Sequence, residues 1–358
     1  TTAPRRESLK YLGFSTAAAT LAASCDIPVK KAIPYTNKPE DIVPGVANYY
    51  ATTYVQDGEA VSILAKVRDG RPIKIEGNDM SPLTKGGTSA RVQASILDLY
   101  DTARLRFPLI DGKEVTLESV DKAVASAMIG VNGASVAILT STINSPTTLE
   151  SIRQFQAKYP GTRHVVYDAA SYSGMLSANE ACYGKRAIPA YRFDNAKLIV
   201  SISADFLGTW LSTIEYAKQY SKGKKINEKN PSMSRHVHFE TVATLTGSNA
   251  DDRYLHRPSE TGAVVAALYN AVNGQAASGF NGKLKAGIEK TAKELASNKG
   301  NALVVCGSND VNIQIAVNML NEALGANGTT IDWSATDNSK MGSDADFAQL
   351  VDDLNNGA

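Results

Sequence analysis

The stretch Leu198-Ile199-Val200-Ser201-Ile202 limits the possible fold more than any other. Its aliphatic residues follow one another almost without a break and show no helical period. Neighbouring side chains on a strand point to opposite faces, so both faces here need cover, as in a parallel sheet. Downstream, Thr209 to Tyr220 reads as a helix, and Val237 and Phe239 sit in a second short strand. Pro258 opens another helix, because its fixed φ suits a first helical turn. This strand–helix–strand–helix order predicts a Rossmann-like α/β unit. Such sheets usually hold ligands at the crest beyond the carboxyl end of the first strand.

A crest that binds phosphate needs glycines, so that backbone N–H groups can approach the anion in front of a helix N-terminus. Here the strand runs into Ser203-Ala204-Asp205-Phe206, with no glycine run. The carboxylate of Asp205 is expected where a pyrophosphate would lie. The unit has the outline of a nucleotide site without its chemistry.

Several motifs along the chain resemble the molybdopterin oxidoreductase family, the dimethyl sulfoxide reductase-like proteins. Ala250-Asp251 and Arg257-Pro258 match the family's second-strand region, and Ser259-Glu260-Thr261 stands where the family has Gly-Thr-Asp. Ala204-Asp205-Phe206 replaces a Gly-x-Asn-Pro turn. Earlier, Asp69-Gly70-Arg71-Pro72-Ile73-Lys74-Ile75, then Tyr100 with Arg104-Leu105, match the family's N-terminal region. Thr88 or Ser89 occupies the position of its fourth cluster cysteine. The resemblance implies an α/β fold of Rossmann-like parallel-sheet domains behind a small β-rich region. It also implies a vestigial crest at Asp205 and Ser259, with no catalytic, cofactor-binding or metal-binding residue retained.

The cysteine count agrees with that implication. Cys25, Cys182 and Cys306 are the only cysteines, are far apart, and form no Cys-x-x-Cys. Four thiolates are needed for a [4Fe–4S] cluster, so this stretch alone cannot ligate one. Net charge is +1, which suggests no nucleic-acid partner. No apolar run approaches the ~20 residues of a membrane helix.

Arg5-Arg6 precede a weakly apolar, alanine-rich run that ends at Cys25. Twin arginines in this setting read as a twin-arginine export segment, with a plain amphipathic helix as the bland alternative. Leu21-Ala22-Ala23-Ser24-Cys25 also resembles a lipoprotein cleavage box, which makes Cys25 a lipidation candidate beside a retained export segment. The expected organisation is an export segment over 1–25, a proline-rich extended linker over 26–48 and a β-rich region over 49–115. A Rossmann-like domain follows over 116–282, then a second α/β domain over 283–358 that is incomplete at its C-terminus.

Within that frame, Asp69-Gly70 is a hairpin turn, Lys113 to Ala127 a helix and Ala134 to Thr140 a buried strand. Asn144-Ser145-Pro146 caps a helix, Arg163 to Tyr167 is a strand, and Ser171 to Tyr183 is a helix. Lys222 to Lys229 is a lysine-rich loop. Helices are expected over 284–297, 312–324 and 345–354, and strands over 302–306 and 329–332. The chain is expected to be one segment of a longer polypeptide.

Candidate chemistry outside the crest is sparse. His236 and His238 share one strand face but lack a third metal ligand nearby. His164 and His256 read as structural or surface residues, and Cys182 and Cys306 as buried inert thiols. Asp251-Asp252 and Asp352-Asp353 read as solvated acidic pairs, and Trp210 and Trp333 as packing residues.

The ADFLGTWLS and TGSNADDR segments bring the resemblance to a branch of the family found in bacterial quinol-oxidising complexes. This implies a structural and docking role in a respiratory assembly at the periplasmic face of the inner membrane. It also implies a multihaem cytochrome c subunit, polytopic quinol-binding membrane subunits and a lipoprotein subunit as partners. Iron–sulfur clusters would then lie in polypeptide beyond these residues, and haems in the partners. A catalytic molybdopterin-dependent oxidoreductase and a periplasmic α/β binding protein or lipoprotein remain open alternatives.

Overall fold

The four strands that form the centre of the molecule run parallel, with the predicted apolar strand inside. A computed structural model describes residues 40–357 except 41, 57, 132–135, 227, 229, 230, 277 and 278. Arg5, Arg6, Cys25 and most of the expected linker lie outside the described residues. Ala47–Ala358 cluster as one unit.

The β-rich region is an antiparallel meander of β1 (Asn48–Gln56), β2 (Glu59–Arg68) and β3 (Arg71–Gly77). Its expected turn has φ of 50° at Asp69 and 76° at Gly70, the left-handed pair that a tight hairpin requires. The helix Ala90–Ala94 follows, capped by the Ser89 side chain accepting from Val92 N. Val92 is fully buried with Val61, Ile63, Ile75 and Ile214. Because Ile214 belongs to the helix Thr213–Lys224, the crest helix that follows the strand Leu198–Ile202, this cluster ties the meander to the α/β sheet.

Next come β4 (Leu109–Ile110) and β5 (Lys113–Glu114), a hairpin that replaces the start of the helix expected from Lys113. The pair Asp111-Gly112 takes φ of 52° and 74° and reverses the chain, so the helix begins at Leu117, capped by Thr116. β6 (Ala137–Thr140) and β7 (Arg163–Val166) form a parallel pair with no third strand among the described residues. β6 was expected to be buried, yet Ala137 and Leu139, which share one face, are exposed, Leu139 by 50%, because no described element covers that face. The helix Pro146–Lys158 between them starts as expected, with Ser145 as cap and Pro146 in its first turn.

After the helix Ser173–Tyr183 come β8 (Ile188–Tyr191), β9 (Leu198–Ile202), β10 (Arg235–Glu240), β11 (Asp252–Leu255), β12 (Ala302–Cys306) and β13 (Ile331–Asp337). The main sheet has the order β11-β10-β9-β12, all parallel, and every residue of β9 is buried. β11 has no counterpart among the expected elements. The helix after β9 spans Thr213–Lys224, a later start than Thr209, because residues 205–212 wind around Asp205 instead. β12, from the last third of the chain, pairs with the whole of β9.

One face of the sheet packs Leu198, Val200, Ile202, Phe239 and Val304 against the helices Thr261–Val272, Gly282–Ser297 and Val311–Ala323. The other packs Ile199, Leu303 and Val305 against Phe193, Phe206, Trp210 and Tyr216. Phe193, Phe206 and Phe239 are fully buried, each contributing roughly 2–3 kcal/mol. β13 pairs antiparallel with β8, and the helix Asp344–Asn355 leans on β7 through Phe347 stacked at 4.0 Å on Tyr167.

Candidate functional site

A cleft of about 570 Å³ opens at the carboxyl end of β9. Glu59 and Thr88 to Arg91 line one wall, and Leu207 to Thr209, Leu211 and Leu245 the other. The structure brings Thr88 and Ser89 into the same cleft as the crest residues Leu207 to Thr209. Neither hydroxyl is idle: Ser89 Oγ caps its helix at 3.3 Å from Val92 N, and Thr88 Oγ1 accepts from Gln93 Nε2 at 2.9 Å. Arg91 pairs with Glu59 along the same wall.

The crest is closed upon itself. The Asp205 carbonyl accepts from the N–H groups of Gly208, Thr209 and Trp210 at 3.0, 2.8 and 2.9 Å. Its carboxylate Oδ1 accepts from Thr246 N at 3.0 Å and Thr246 Oγ1 at 2.7 Å, and Oδ2 from Thr209 Oγ1 at 3.3 Å. Thr246 Oγ1 in turn accepts from Leu207 N at 3.0 Å. Phe206 N donates to Ala204 O, and Leu211 N to the Tyr172 hydroxyl at 3.1 Å. Every N–H from Phe206 to Leu211 thus has an acceptor within the protein.

A nucleotide pyrophosphate would need those N–H groups directed outward and no carboxylate beside them. Gly208 does not open the crest either, since a Cβ there would lie 2.2 Å from Asp205 Oδ2. The residues present do not fit that group. Ser259 is exposed in the turn Pro258–Glu260 and is absent from the cleft lining. Its neighbour His256 is the link to the crest, with Nε2 at 3.4 Å from Ser203 Oγ.

Behind the crest a row of polar side chains crosses the buried sheet. His236 and His238 share a face as expected, and both are fully buried. Their partners, Ser201 on β9, Glu240 two residues further along β10 and Tyr220 on the crest helix, escaped the sequence reading. The alternation His236, His238, Glu240 along one strand was the available signal for Glu240. Burial pulls the His236 imidazole well below its ordinary value and His238 below it, with Glu240 opposing the shift at His238. Burial alone would raise Glu240, but hydrogen bonds from Thr244 and Arg253 and the charge of His238 hold it below the usual range.

A second buried carboxylate also went unpredicted. Asp168 accepts from Thr142 N at 3.0 Å, Thr142 Oγ1 at 2.6 Å and Gly342 N at 3.0 Å, joining the segments that follow β6, β7 and β13.

Other expected roles need correction. Cys306 is buried as expected and its thiol is pushed up to about 11 by burial, but Cys182 is exposed on its helix. Asp251 and Asp252 are not simply solvated. Asp251 bonds Lys224 Nζ at 2.6 Å and His236 N at 2.7 Å, while Asp252 pairs with Arg235 and with Lys290 at 2.8 Å. Asp353 pairs with Arg163. Lys222 and Lys224 belong to the crest helix rather than a free loop, and Lys222 pairs with Asp194 at 2.7 Å. Trp210 packs as expected, and Trp333 is partly buried with its Nε1 donating to Asn327 at 2.9 Å. Among the described residues no group of three or more His, Cys, Asp or Glu could hold a metal ion.

The fold is that of the molybdopterin oxidoreductases, an α/β arrangement of parallel, Rossmann-like sheets behind a small β-rich region. It is shared with acetylene hydratase from Pelobacter acetylenicus at a TM-score of 0.55 and 12% identity, over 77% of this chain and 44% of that one. In sequence, the chain is 22% identical over 231 residues to a menaquinone reductase, molybdopterin-binding-like subunit, of Nitratidesulfovibrio vulgaris. That match covers 63% of this chain and 33% of the relative, so the chain spans about a third of the length of the curated protein it matches. These two likenesses support a molybdopterin oxidoreductase-like relationship. No protein-family model matches it.

Proposed function

We propose that the chain is a cofactor-free structural and docking module of a membrane-bound respiratory electron-transfer complex. The observation that carries this reading is the crest. Asp205 and Thr246 occupy the hydrogen-bonding capacity that a pyrophosphate would otherwise use. The named quinone-reductase relative supports the respiratory setting. The ADFLGTWLS and TGSNADDR segments narrow it to the B subunit of alternative complex III, which oxidises quinol and passes electrons to a periplasmic acceptor.

In this reading the chain lies at the periplasmic face of the inner membrane, delivered through Arg5 and Arg6 or held through Cys25. It docks a multihaem cytochrome c subunit, polytopic quinol-binding subunits and a lipoprotein subunit. Iron–sulfur clusters are carried by polypeptide beyond these residues, and haems by the partners. The inherited sheet serves as a rigid platform, and its crest gives up ligand binding in exchange for internal bonding.

The test is to isolate the chain from its native membrane in detergent, identify what accompanies it, and assay the assembly for molybdenum, tungsten and oxidised pterin. Co-purification with haem proteins, with no stoichiometric molybdenum, tungsten or pterin, is expected. A stoichiometric pterin–metal cofactor bound to this chain, or isolation as a free soluble monomer, would overturn the proposal.

A further inference from the structure

The polar row inside the sheet has a property that follows from counting its protons. Tyr220 Oη lies 2.8 Å from Asn249 O and 3.3 Å from His236 Nδ1. His236 Nε2 is 2.8 Å from Ser201 Oγ, and Ser201 Oγ is 2.5 Å from His238 Nδ1. His238 Nε2 is 3.1 Å from Glu240 Oε2, which also accepts from Thr244 N and Oγ1. Arg253 binds the other carboxylate oxygen.

Each hydroxyl has one proton to donate, and an ionised carboxylate only accepts. His238 Nε2 must therefore carry a proton to meet Glu240. With His238 neutral, its Nδ1 is an acceptor and Ser201 donates to it. Ser201 then accepts from His236 Nε2–H, and His236 Nδ1 accepts the Tyr220 proton. With His238 protonated on both nitrogens, every direction reverses. Nδ1–H donates to Ser201, Ser201 donates to His236 Nε2, His236 donates from Nδ1 to Tyr220, and Tyr220 turns its proton to Asn249 O. The two states differ by one proton taken from solvent; the neutral one gives up the Tyr220 donation to Asn249 O for the longer one to His236, and both leave each nitrogen and hydroxyl in the row partnered.

We propose that this row is a buried single-proton site, centred on His238, in which protonation of one histidine reverses the hydrogen-bond direction across the sheet and switches the tautomer of the other. The charge settles on His238 because Glu240 touches it and Asp205 lies near it, with Arg253 as the opposing cation on β11. His236 instead faces Tyr220 and Lys224 from the crest helix, has His238 beside it, and has no carboxylate on its ring. Glu240 also anchors Thr244, whose segment carries Thr246 and hence Asp205, so three hydrogen bonds link the proton to the crest.

The chain has four histidines, so ring-nitrogen NMR on the full chain labelled with ¹⁵N-histidine resolves each of them. Titration from about pH 8 to about pH 4.5 spans the range in which imidazoles ordinarily charge. His238 should become doubly protonated. At the same midpoint His236 should stay neutral while its proton moves from Nε2 to Nδ1. Ser201→Ala should abolish the tautomer switch, and Ser201→Thr should keep it. If Ser201→Ala does not fold, the unmodified chain still decides. A single His236 tautomer throughout the titration, double protonation of His236 before His238, or a His238 that stays neutral until the fold is lost would each overturn the proposal.

Discussion

Thr246 presents both its backbone N–H and its hydroxyl to a single oxygen of Asp205, at 3.0 and 2.7 Å. This contact fixes the segment after β10 against the segment after β9 and closes the crest. Asp205→Ala removes it together with the Thr209 hydroxyl contact. Hydrogen bonds to a charged acceptor carry more than neutral ones, so the loss should be about 2 kcal/mol in chemical denaturation. Thr246→Ser keeps both donors and should cost much less.

Gly247 has no room for a side chain. A Cβ there would lie 2.3 Å from Glu240 Oε1, and Glu240 is 1% exposed and held by Thr244 and Arg253. Gly247→Ala should destabilise the chain by about 1–3 kcal/mol, as overpacking of a buried site does. Gly262→Ala, whose Cβ meets Ile313 Cδ1 and Cγ1 at 3.3 Å within a helix that favours alanine, is the comparison and should be destabilised much less than Gly247→Ala.

Stability should fall as the solution is acidified. Burial holds His236 and His238 below their ordinary values, so the unfolded chain binds protons more readily than the folded one. That contribution is complete above about pH 6.5, the unperturbed histidine value, and is lost as pH drops below it. Thermal unfolding at pH values on either side should show a lower Tm on the acid side. His236→Gln, which has no titrating ring, should flatten the slope.

Alkylation separates the two described cysteines. Cys182 is exposed, whereas Cys306 is buried and its thiol is pushed up to about 11. Iodoacetamide near neutral pH in the folded state should label Cys182 and leave Cys306 unmodified by peptide mapping, because the thiolate is the reactive form. Labelling of both at similar rates would contradict the burial of β12.

The helix Leu117–Ala127 contains no buried residue, with Leu117 at 66% and Val124 at 57% exposure. Val124→Glu should therefore change the stability of the isolated chain by no more than about 0.5 kcal/mol, as an exposed substitution does. A larger loss in denaturation would show that this face is covered.

Local patterns along the chain were enough to place β9, β10, β12 and the Asp69-Gly70 hairpin, and with them the parallel sheet. Two-sided burial requires continuous apolar residues, and a left-handed turn requires residues that tolerate positive φ; both rules act within a few neighbouring positions. The missing glycines at Ser203 to Phe206 were equally plain. What the sequence could not specify was how the crest satisfies itself. Asp205 and Thr246 are 41 positions apart, and Ser201 meets His236 across 35. Only the pairing of β9 with β10 brings those side chains within hydrogen-bonding distance. The same holds for Cys182 and Asp252, whose exposure and ion pairs were misread because burial and charge pairing depend on which elements pack together. Sequence by itself determined the strands and the lack of glycines directly after β9. Tertiary structure decided how the residues after β9 satisfy their polar groups, since a polar group inside a protein must find its partner in space rather than along the chain.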